Sequence, residues 1–360
     1  MQARLTRRST ALWLALTAGL ALVAGVGPVA AQKPTLSDIE KIEITAKALS
    51  GFNRPPTSRT KFGRLEWRGG LILTSSSEHF GGLSGLVLDK DGRGFLAISD
   101  AGTWLKGTIT YDGRKPSGIE NASIGPILAR NGKPVRRLRD RDAEGMALAS
   151  GSIEKGTVLI SFEGNHRIGR FGVTSRGIGA PTEYLKLPPE TRRMGRNTSF
   201  ESVSVLQGGR HKGSVIAFSE RLTNKDGNHT GWIWINGTPR ALHITDPGGF
   251  DITDTAPLHD GGLLVLERRF RWTEGVKMRI RLLNASEMTP GVTLEGETLF
   301  EANMGYEIDN MEGISTHRDP NGETVITVVS DDNFNAFLQR TLLLQFTLLG
   351  SSTANVDRAQ

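Results

Sequence analysis

The sequence predicts an all-β fold: a β-propeller-like repeat of five or six blades that forms a single domain. Five segments share one pattern, in which an acidic or turn motif leads through a glycine-rich turn into an apolar run that ends on acids. The segments are GGLSGLVLDKDGRGFLAISDAG, DAEGMALASGSIEKGTVLISFEGN, SFESVSVLQGGRHKGSVIAFSER, DITDTAPLHDGGLLVLERRF and NMEGISTHRDPNGETVITVVSDDN. Steps of 60, 57, 53 and 58 residues separate their anchors, which are Ser84, Glu144, Glu201, Asp254 and Glu312. A regular period of this size is typical of propellers and other repeat arrays.

Turn signals and strand-like runs support the same fold class. The pairs Asp91-Gly92, Asp260-Gly261 and Asn321-Gly322 occupy the same point in their copies and favour tight hairpins. Helical periodicity is absent after the first 31 residues, and a β-sandwich would not require the repeat. The run at 341–348 is predicted to pair with a strand near 62–73, because closing the ring removes exposed sheet edges.

The chain divides into four predicted parts. Residues 1–31 have the features of a signal peptide, with a basic start, an apolar run over 11–26 and small residues before a cut at Gln32. A retained membrane anchor is disfavoured because the apolar run is shorter than the roughly 20 residues that a spanning helix needs. We therefore expect a polar lead-in segment over 32–61, the propeller over 62–350, a disordered C-terminal tail over 351–360, and a periplasmic or secreted protein. The Arg7-Arg8 pair leaves twin-arginine export open.

Charge and cysteine content narrow the functional classes. Removing residues 1–31 lowers the formal net charge from +6 to +3, since three arginines and no acids are lost. The remaining basic stretch over 130–141 has no interleaved aromatic residues, so nucleic acid is not an expected partner. That stretch is either a solvated loop or an attractor of anionic substrates. With no cysteine in the chain, disulfides, thiolate catalysis and zinc–thiolate sites are excluded.

Acidic residues end the second strand of most copies at near-constant distances from the anchors. The separation is 19 residues for Glu144–Glu163, Glu201–Glu220 and Glu312–Asp331, 13 for Asp254–Glu267 and 16 for Ser84–Asp100. Two short strands joined by a turn return the chain to the same end of the sheet. We therefore expect anchors and strand-end acids to meet on one face of the propeller.

Such a crowd of carboxylates requires compensation by raised pKa values, arginines or a bound cation. Oxygen ligands without cysteine favour Ca²⁺, for which the candidate ligands are Glu163, Glu220, Glu267, Asp331 and Asp332. The candidate proton acceptors are Glu144, Glu201 and Glu312, with His166 as a further acid–base candidate. Arg167 and Arg268, which follow strand-end acids, are candidates for binding phosphate. The acids could instead cap turns or pair between blades.

The motifs GGLSGLVLD, DAEGMAL, FEGNHRIGRF, LLVLERRF, NMEGIS and VVSDDNFNAFLQRTLLLQF resemble the phytase-like family of exported bacterial proteins, described by its esterase-like activity of phytase. The resemblance spans roughly residues 64–348. It implies a propeller-like fold with clustered acids and an activity on phosphoric or other esters. The residues that it implicates here are Glu144, Glu163, Arg167, Glu267, Arg268, Glu312, Asp331 and Asp332. The third copy departs from the pattern at Ser202, and the first at Ser84.

Three functions remain open. The first is an exported metal-assisted hydrolase of a small phosphorylated substrate, in which a carboxylate-bound cation activates water. The second is a non-catalytic envelope propeller with structural calcium, and the third is a carboxylic-ester hydrolase or lactonase. A serine nucleophile at Ser84 is not expected, because Leu86 stands where the G-x-S-x-G motif requires glycine. The sequence leaves the oligomeric state open.

Overall fold

The computed structural model describes residues 36–195 and 198–350. In this part of the chain, five β-sheets form five blades, and the first strand of each blade lies against the first strand of the next until the ring closes. The predicted all-β propeller is confirmed, with five blades. The predicted signal peptide and the tail over 351–360 lie outside the described residues. No helix among the residues described has the length and apolar character needed to cross a membrane.

Four strands precede the first repeat. They are β1 (Glu40–Lys41), β2 (Thr45–Ala48), β3 (Lys61–Phe62) and β4 (Leu65–Thr74). Although the sequence suggested a polar lead-in, this segment adds strands to the ring: β1 joins the outer edge of the first blade, while β2 and β3 pair with β4. Its Phe52 is fully buried against Phe62 and Phe346. The segment from residue 36 onward is therefore part of the packed propeller.

The first four blades follow in chain order from the channel outward. Blade one contains β5 (Leu83–Leu88), β6 (Gly94–Ser99), β7 (Thr103–Asp112) and β8 (Lys115–Pro126). After a short helix, α1 (Leu138–Arg141), blade two contains β9 (Ala143–Gly151), β10 (Lys155–Phe162), β11 (Arg167–Thr174) and β12 (Gly177–Tyr184). A 3-10 helix (Pro189–Arg193) leads to blade three, with β13 (Phe200–Val205), β14 (Val215–Thr223), β15 (His229–Ile235) and β16 (Thr238–Ile244). Blade four contains β17 (Asp251–Pro257), β18 (Leu263–Arg271), β19 (Gly275–Leu283) and β21 (Glu297–Ala302), while β20 (Thr293–Leu294) joins blade three.

The fifth blade combines both ends of the described chain. Its inner strands are β22 (Asn310–Arg318), β23 (Thr324–Asp331) and β24 (Thr341–Leu348). As the sequence predicted, β24 pairs antiparallel with β4, from Thr341 opposite Leu73 to Leu348 opposite Leu65. This pairing joins the N-terminal and C-terminal parts of the propeller by main-chain hydrogen bonds, and it removes an open edge from the ring.

The hydrophobic core is divided among the blade interfaces. Among the described residues, five apolar clusters form, one between each pair of neighbouring blades. Alternating apolar residues such as Trp232 and Trp234 on β15 belong to the cluster between blades two and three. Apolar burial therefore stabilises the ring at every interface between blades.

Candidate functional site

The innermost strand of every blade carries a β-bulge at the same point. On β5, Leu83 pairs with Ser99 and Gly85 pairs with Ile98, so one residue is left over between them. The same shift recurs on β9, β13, β17 and β22. Bulges re-aim side chains and are frequent beside active sites. The five bulge residues are Ser84, Glu144, Glu201, Thr253 and Glu312.

The five bulge residues form a first ring, and a second ring of side chains lies near the end of the second strand of each blade. On that second strand, one residue pairs with the last inner-strand residue before the bulge, and the next residue in the sequence belongs to the second ring. Thus Ser99 is followed by Asp100, and Glu267, which pairs with Ile252, is followed by Arg268. The members of this ring are Asp100, Glu163, Glu220, Arg268 and Asp331. Four blades therefore supply an acid at this position, and the fourth blade supplies an arginine.

This register corrects the alignment of the fourth copy. The sequence suggested Asp254 as its anchor and Glu267 as its strand-end acid, but the strand pairing assigns those positions to Thr253 and Arg268. Asp254 instead occupies the position of Gly85 in the first blade. It is fully buried, and its Oδ2 accepts a 2.9 Å hydrogen bond from the backbone N–H of Ile314 on the next blade. Asp254 thus connects two blades rather than facing the channel.

The two rings enclose a polar cavity of about 450 Å³ at one end of the central channel. It is lined by Ser84, Asp100, Asp142, Glu144, Glu163, Glu201, Glu220, Arg221, Arg268, Glu312, Asp331 and Asn333. The structure therefore brings together most of the residues predicted for the site. These are the three candidate proton acceptors, Arg268, and the candidate ligands Glu163, Glu220 and Asp331.

Arg268 is a partly buried cation that faces two of these acids. Its Nε lies 3.4 Å from Glu312 Oε1, its Nη2 lies 4.0 Å from Glu220 Oε1, and its Nη1 donates a 2.7 Å hydrogen bond to Asn310 Oδ1. Burial alone would lower the pKa of Arg268, but Glu312 and Glu220 raise it above its ordinary value. Arg221, the other lining arginine, is shared by Glu220 at 3.2 Å and Asp251 at 2.8 Å.

Burial and mutual repulsion raise the pKa values of the clustered acids. Desolvation is the largest cause for Asp100, Glu163 and Glu220, and it raises the pKa of each to about 7. For Glu144 and Glu201 the pKa lies well above the ordinary value, since burial is reinforced by neighbouring carboxylates. At neutral pH the cavity therefore holds a partly protonated cluster that an added positive charge would ionise.

Two groups of three carboxylates have the spacing needed to bind a cation. One is formed by Asp142, Glu144 and Glu163, the other by Glu163, Glu201 and Glu220, and in each group the ligand atoms lie within 4.8 Å of one another. Glu163 belongs to both groups. A set made only of oxygen donors matches the preference of Ca²⁺ or Mg²⁺ rather than that of a thiolate-seeking metal.

Four residues predicted for the site lie outside the cavity lining. Glu267 is fully buried, and its carboxylate accepts hydrogen bonds from the guanidinium groups of Arg279 and Arg281. Two arginines already saturate this carboxylate, so it is not placed to act as a metal ligand. Asp332 accepts hydrogen bonds from the backbone N–H groups of Gly82 and Phe334, which makes it part of the loop that follows β23.

The other two are Arg167 and His166, and both contact backbone carbonyl groups of connecting segments next to the second blade. The Arg167 guanidinium donates to the carbonyl oxygens of Asp140 and Asn165 and lies 3.8 Å from the ring centre of Phe162. Nε2 of His166 lies 3.3 Å from the carbonyl oxygen of Met194. Both side chains hold loops together, and neither lines the cavity.

The residues predicted for the site from the sequence did not include Asp100, Asp142, Arg221 or Asn333. Asp142 stands two residues before Glu144, so its position in the DAEG motif was the available signal. Burial raises the pKa of Asp142, while a hydrogen bond with Glu144 opposes that rise. Asp100 ends the first copy of the repeat and belongs to the same ring as Glu163.

One comparison with known proteins identifies a family. The profile of the phytase-like family, described as esterase-like activity of phytase, matches residues 78–334. The family's description fits an esterase- or phosphatase-like hydrolase and specifies neither a mechanism nor a metal. No curated protein matches the sequence.

Two solved structures illustrate a remote likeness. Hydrazine synthase of Kuenenia stuttgartiensis is similar at 9% identity and a TM-score of 0.35, and the match covers 71% of this chain and 58% of the hydrazine synthase chain. The Dos1 propeller is similar at 8% identity and a TM-score of 0.34, and the match covers 79% of this chain and 75% of the Dos1 chain. Likeness at this level says nothing about function. The family match, however, extends from the first blade to the fifth and covers well over half of the chain, so the protein belongs to the phytase-like family.

Proposed function

We propose that the protein is an exported, metal-assisted hydrolase of phosphoric esters. The observation that carries this proposal is the substitution of Arg268 for an acid in a ring that is otherwise made of carboxylates. A carboxylate cluster next to one inward-facing arginine can bind a cation and a phosphate group side by side. The family description, with its esterase-like activity of phytase, supports the same reaction class.

Calcium is the cation that we propose for the acidic cluster. Glu163 would hold it together with Asp142 and Glu144, with Glu201 and Glu220, or with both pairs. Bound there, the ion would polarise a phosphoryl oxygen and lower the pKa of an attacking water. The residues themselves fit this role, because their raised pKa values indicate carboxylates that lack sufficient positive charge.

Arg268 is proposed to orient the phosphate group. Its Nε makes no hydrogen bond with the described residues, although it lies near Glu312, so this N–H remains available to an oxyanion. A guanidinium group offers parallel donors that match two oxygens of a phosphate. The anchoring bond from Nη1 to Asn310 fixes the plane of the group in advance.

Glu312 is proposed to accept the proton from water. It lines the cavity but belongs to neither of the three-carboxylate groups, so a bound cation would leave it free. Burial raises the pKa of Glu312, while Arg268 opposes that rise. A carboxylate with a raised pKa is a more effective base near neutral pH than an exposed one. We do not assign roles in the reaction to His166 or Arg167.

Export is proposed from the composition of residues 1–31, which has the features of a signal peptide. For an exported protein, millimolar calcium is a reasonable ligand for a low-affinity carboxylate site.

The test is hydrolysis of an aryl phosphate monoester, an aryl phosphodiester and aryl acetate by the purified protein, with EDTA or with added Ca²⁺. We expect phosphoester turnover that EDTA abolishes and Ca²⁺ restores, and that is lost in Glu312→Gln. The matched control is Glu183→Gln, the same chemical change at an exposed residue of β12 that pairs with Arg170. Turnover of aryl acetate alone would indicate a carboxylic-ester hydrolase. No turnover, with a calcium-dependent rise in Tm, would indicate a non-catalytic propeller.

A further inference from the structure

A smaller pocket lies at the opposite end of the propeller, between the first and fifth blades. Its volume is about 140 Å³, and its lining includes Arg68, Arg93, Arg114, Tyr111, His317 and Asp319. Asp319 follows the far end of β22, seven residues beyond Glu312. At about 3.3 Å per strand residue, roughly 23 Å separates this pocket from the acidic cavity.

Arg68 is placed in this pocket by an irregularity of strand pairing. On β4, Gly69 lies opposite Gln345 and Trp67 lies opposite Phe346, so Arg68 is the extra residue of a bulge. The bulge turns a charged side chain inward at a position that strand alternation would not predict. Only 9% of Arg68 is exposed.

The guanidinium group of Arg68 is only partly satisfied by the protein. Its Nη2 donates a 2.8 Å hydrogen bond to Asp319 Oδ2, whereas Nε and Nη1 are buried and make no hydrogen bond with the described residues. The other oxygen of Asp319, Oδ1, already receives the backbone N–H groups of Asn321 and Glu323. Two buried charged donors without acceptors are costly, which points to a ligand that supplies them.

The neighbouring groups favour an anion as that ligand. Arg93 forms no ion pair with the described residues, and Arg114 is partly neutralised by Glu323. The carboxylates at the pocket are Asp319, which is bound to Arg68, and the exposed Asp91. His317 contributes no charge at neutral pH, because burial lowers its pKa to about 4. The Tyr111 hydroxyl is already engaged, donating to the Gly92 carbonyl.

We propose that this pocket binds a small tetrahedral oxyanion, phosphate or a phosphate monoester, through an unpaired buried N–H of Arg68, with Arg93 at the entrance. The pocket is several times larger than the roughly 30 Å³ share of one water molecule, so it can hold an ion of this size. Nε–H and Nη1–H lie on different edges of the guanidinium group, so one oxygen of the ion would accept a charge-assisted hydrogen bond from one of them. This site is independent of the acidic cavity and of the hydrolase proposal.

The experiment is isothermal titration calorimetry, in which inorganic phosphate, and separately glycerol 3-phosphate, is titrated into the full protein in calcium-free buffer at low ionic strength. We expect one saturable site whose affinity falls at least tenfold in Arg68→Gln and several-fold in Arg93→Gln. Arg93 is exposed, so its variant tests the pocket even where Arg68→Gln perturbs folding, which circular dichroism would report. Tighter binding of the monoester than of phosphate would identify an organic phosphate as the ligand.

The variant Arg268→Gln separates the two ends of the propeller. If the oxyanion occupies the pocket at Arg68, this variant binds phosphate as the native protein does. Loss of binding in Arg268→Gln with retention in Arg93→Gln would place the anion in the acidic cavity and overturn the proposal. Absence of saturable binding by the folded native protein would show that only water satisfies Arg68, and would overturn it equally.

Discussion

The hydroxyl of Ser84 donates a 2.6 Å hydrogen bond to the carbonyl oxygen of Ala143, the residue that precedes Glu144. Thr253 makes the same type of contact in the fourth blade, since its Oγ1 lies 3.1 Å from the carbonyl oxygen of Met311, which precedes Glu312. At two of the five bulges, a hydroxyl therefore connects the blade to the next one. At the other three, a glutamate faces the cavity.

This relationship predicts a structural role for both hydroxyls. Thr253→Val and Ser84→Ala should each lower the free energy of unfolding by about 1 kcal/mol, because each removes one buried hydrogen bond. Denaturant unfolding measures this loss. Turnover of an aryl phosphate should remain unchanged in Thr253→Val, whose hydroxyl is outside the cavity lining, and should fall less than tenfold in Ser84→Ala. Abolished turnover in a folded Ser84→Ala variant would instead support a serine nucleophile.

Glu267 is expected to stabilise the fold without binding metal. Glu267→Gln should lower the free energy of unfolding by about 3–5 kcal/mol, because it leaves Arg279 and Arg281 buried without their counter-charge. The loss should be the same in EDTA and in Ca²⁺, as measured by urea unfolding in both conditions. A loss of stability found only in the samples that contain Ca²⁺ would indicate that Glu267 is a calcium ligand after all.

The two arginines that the sequence suggested for phosphate binding should behave differently. Arg268→Gln is expected to reduce phosphoester turnover by about a hundredfold or more, the usual effect of removing a donor to a developing oxyanion. Arg167→Gln, the matched control, should retain turnover, because that guanidinium is bound to backbone carbonyls outside the cavity. Steady-state kinetics of phosphoester hydrolysis by both variants tests this difference. Equal losses of turnover in the two variants would contradict the assignment of Arg268, and not Arg167, to the site.

The stability of the calcium-free protein should fall as pH rises. Burial raises the pKa values of Glu163 and Glu220 from 4.5 to about 7. A carboxyl group whose pKa is higher in the folded state stabilises the fold fully below pH 4.5, and this contribution is lost as pH rises through about 7. Thermal unfolding in EDTA should therefore show a Tm that declines between pH 5 and pH 8.

Calcium should reverse this decline, because it binds the deprotonated carboxylates. The rise in Tm on adding Ca²⁺ should be larger at pH 8 than at pH 5. The double variant Glu163→Gln and Glu220→Gln should flatten the pH dependence in EDTA and reduce the calcium effect. Equal calcium shifts at the two pH values in the native protein would argue against binding at these acids.

Much of the fold could be predicted from the sequence, because each copy of the repeat corresponds to the first two strands of one blade. The anchors Glu144, Glu201 and Glu312 and the constant 19-residue step to the strand ends reflect a hairpin of fixed length. The pairing of β24 with β4 was also predicted correctly, since both ends of a closed ring must meet.

The fourth copy was misaligned because residue type was a poor guide to register there. Asp254 and Glu267 are acids, but the bulge gives their expected positions to Thr253 and Arg268, one residue away in each case. A one-residue shift reverses which face a side chain occupies on a strand. Arg68 was overlooked for a similar reason, since the bulge that turns it inward leaves no mark in the pattern of apolar residues.

The most direct test of the proposed function is the calcium dependence of aryl phosphate hydrolysis in the native protein and in Glu163→Gln. Glu163 is shared by both groups of carboxylates, so its loss should weaken either arrangement of the cation. We predict saturable activation by Ca²⁺ in the native protein, with at least a tenfold higher calcium requirement in the variant. Identical activation curves, or turnover that persists in EDTA, would contradict a calcium-dependent active site in this cavity.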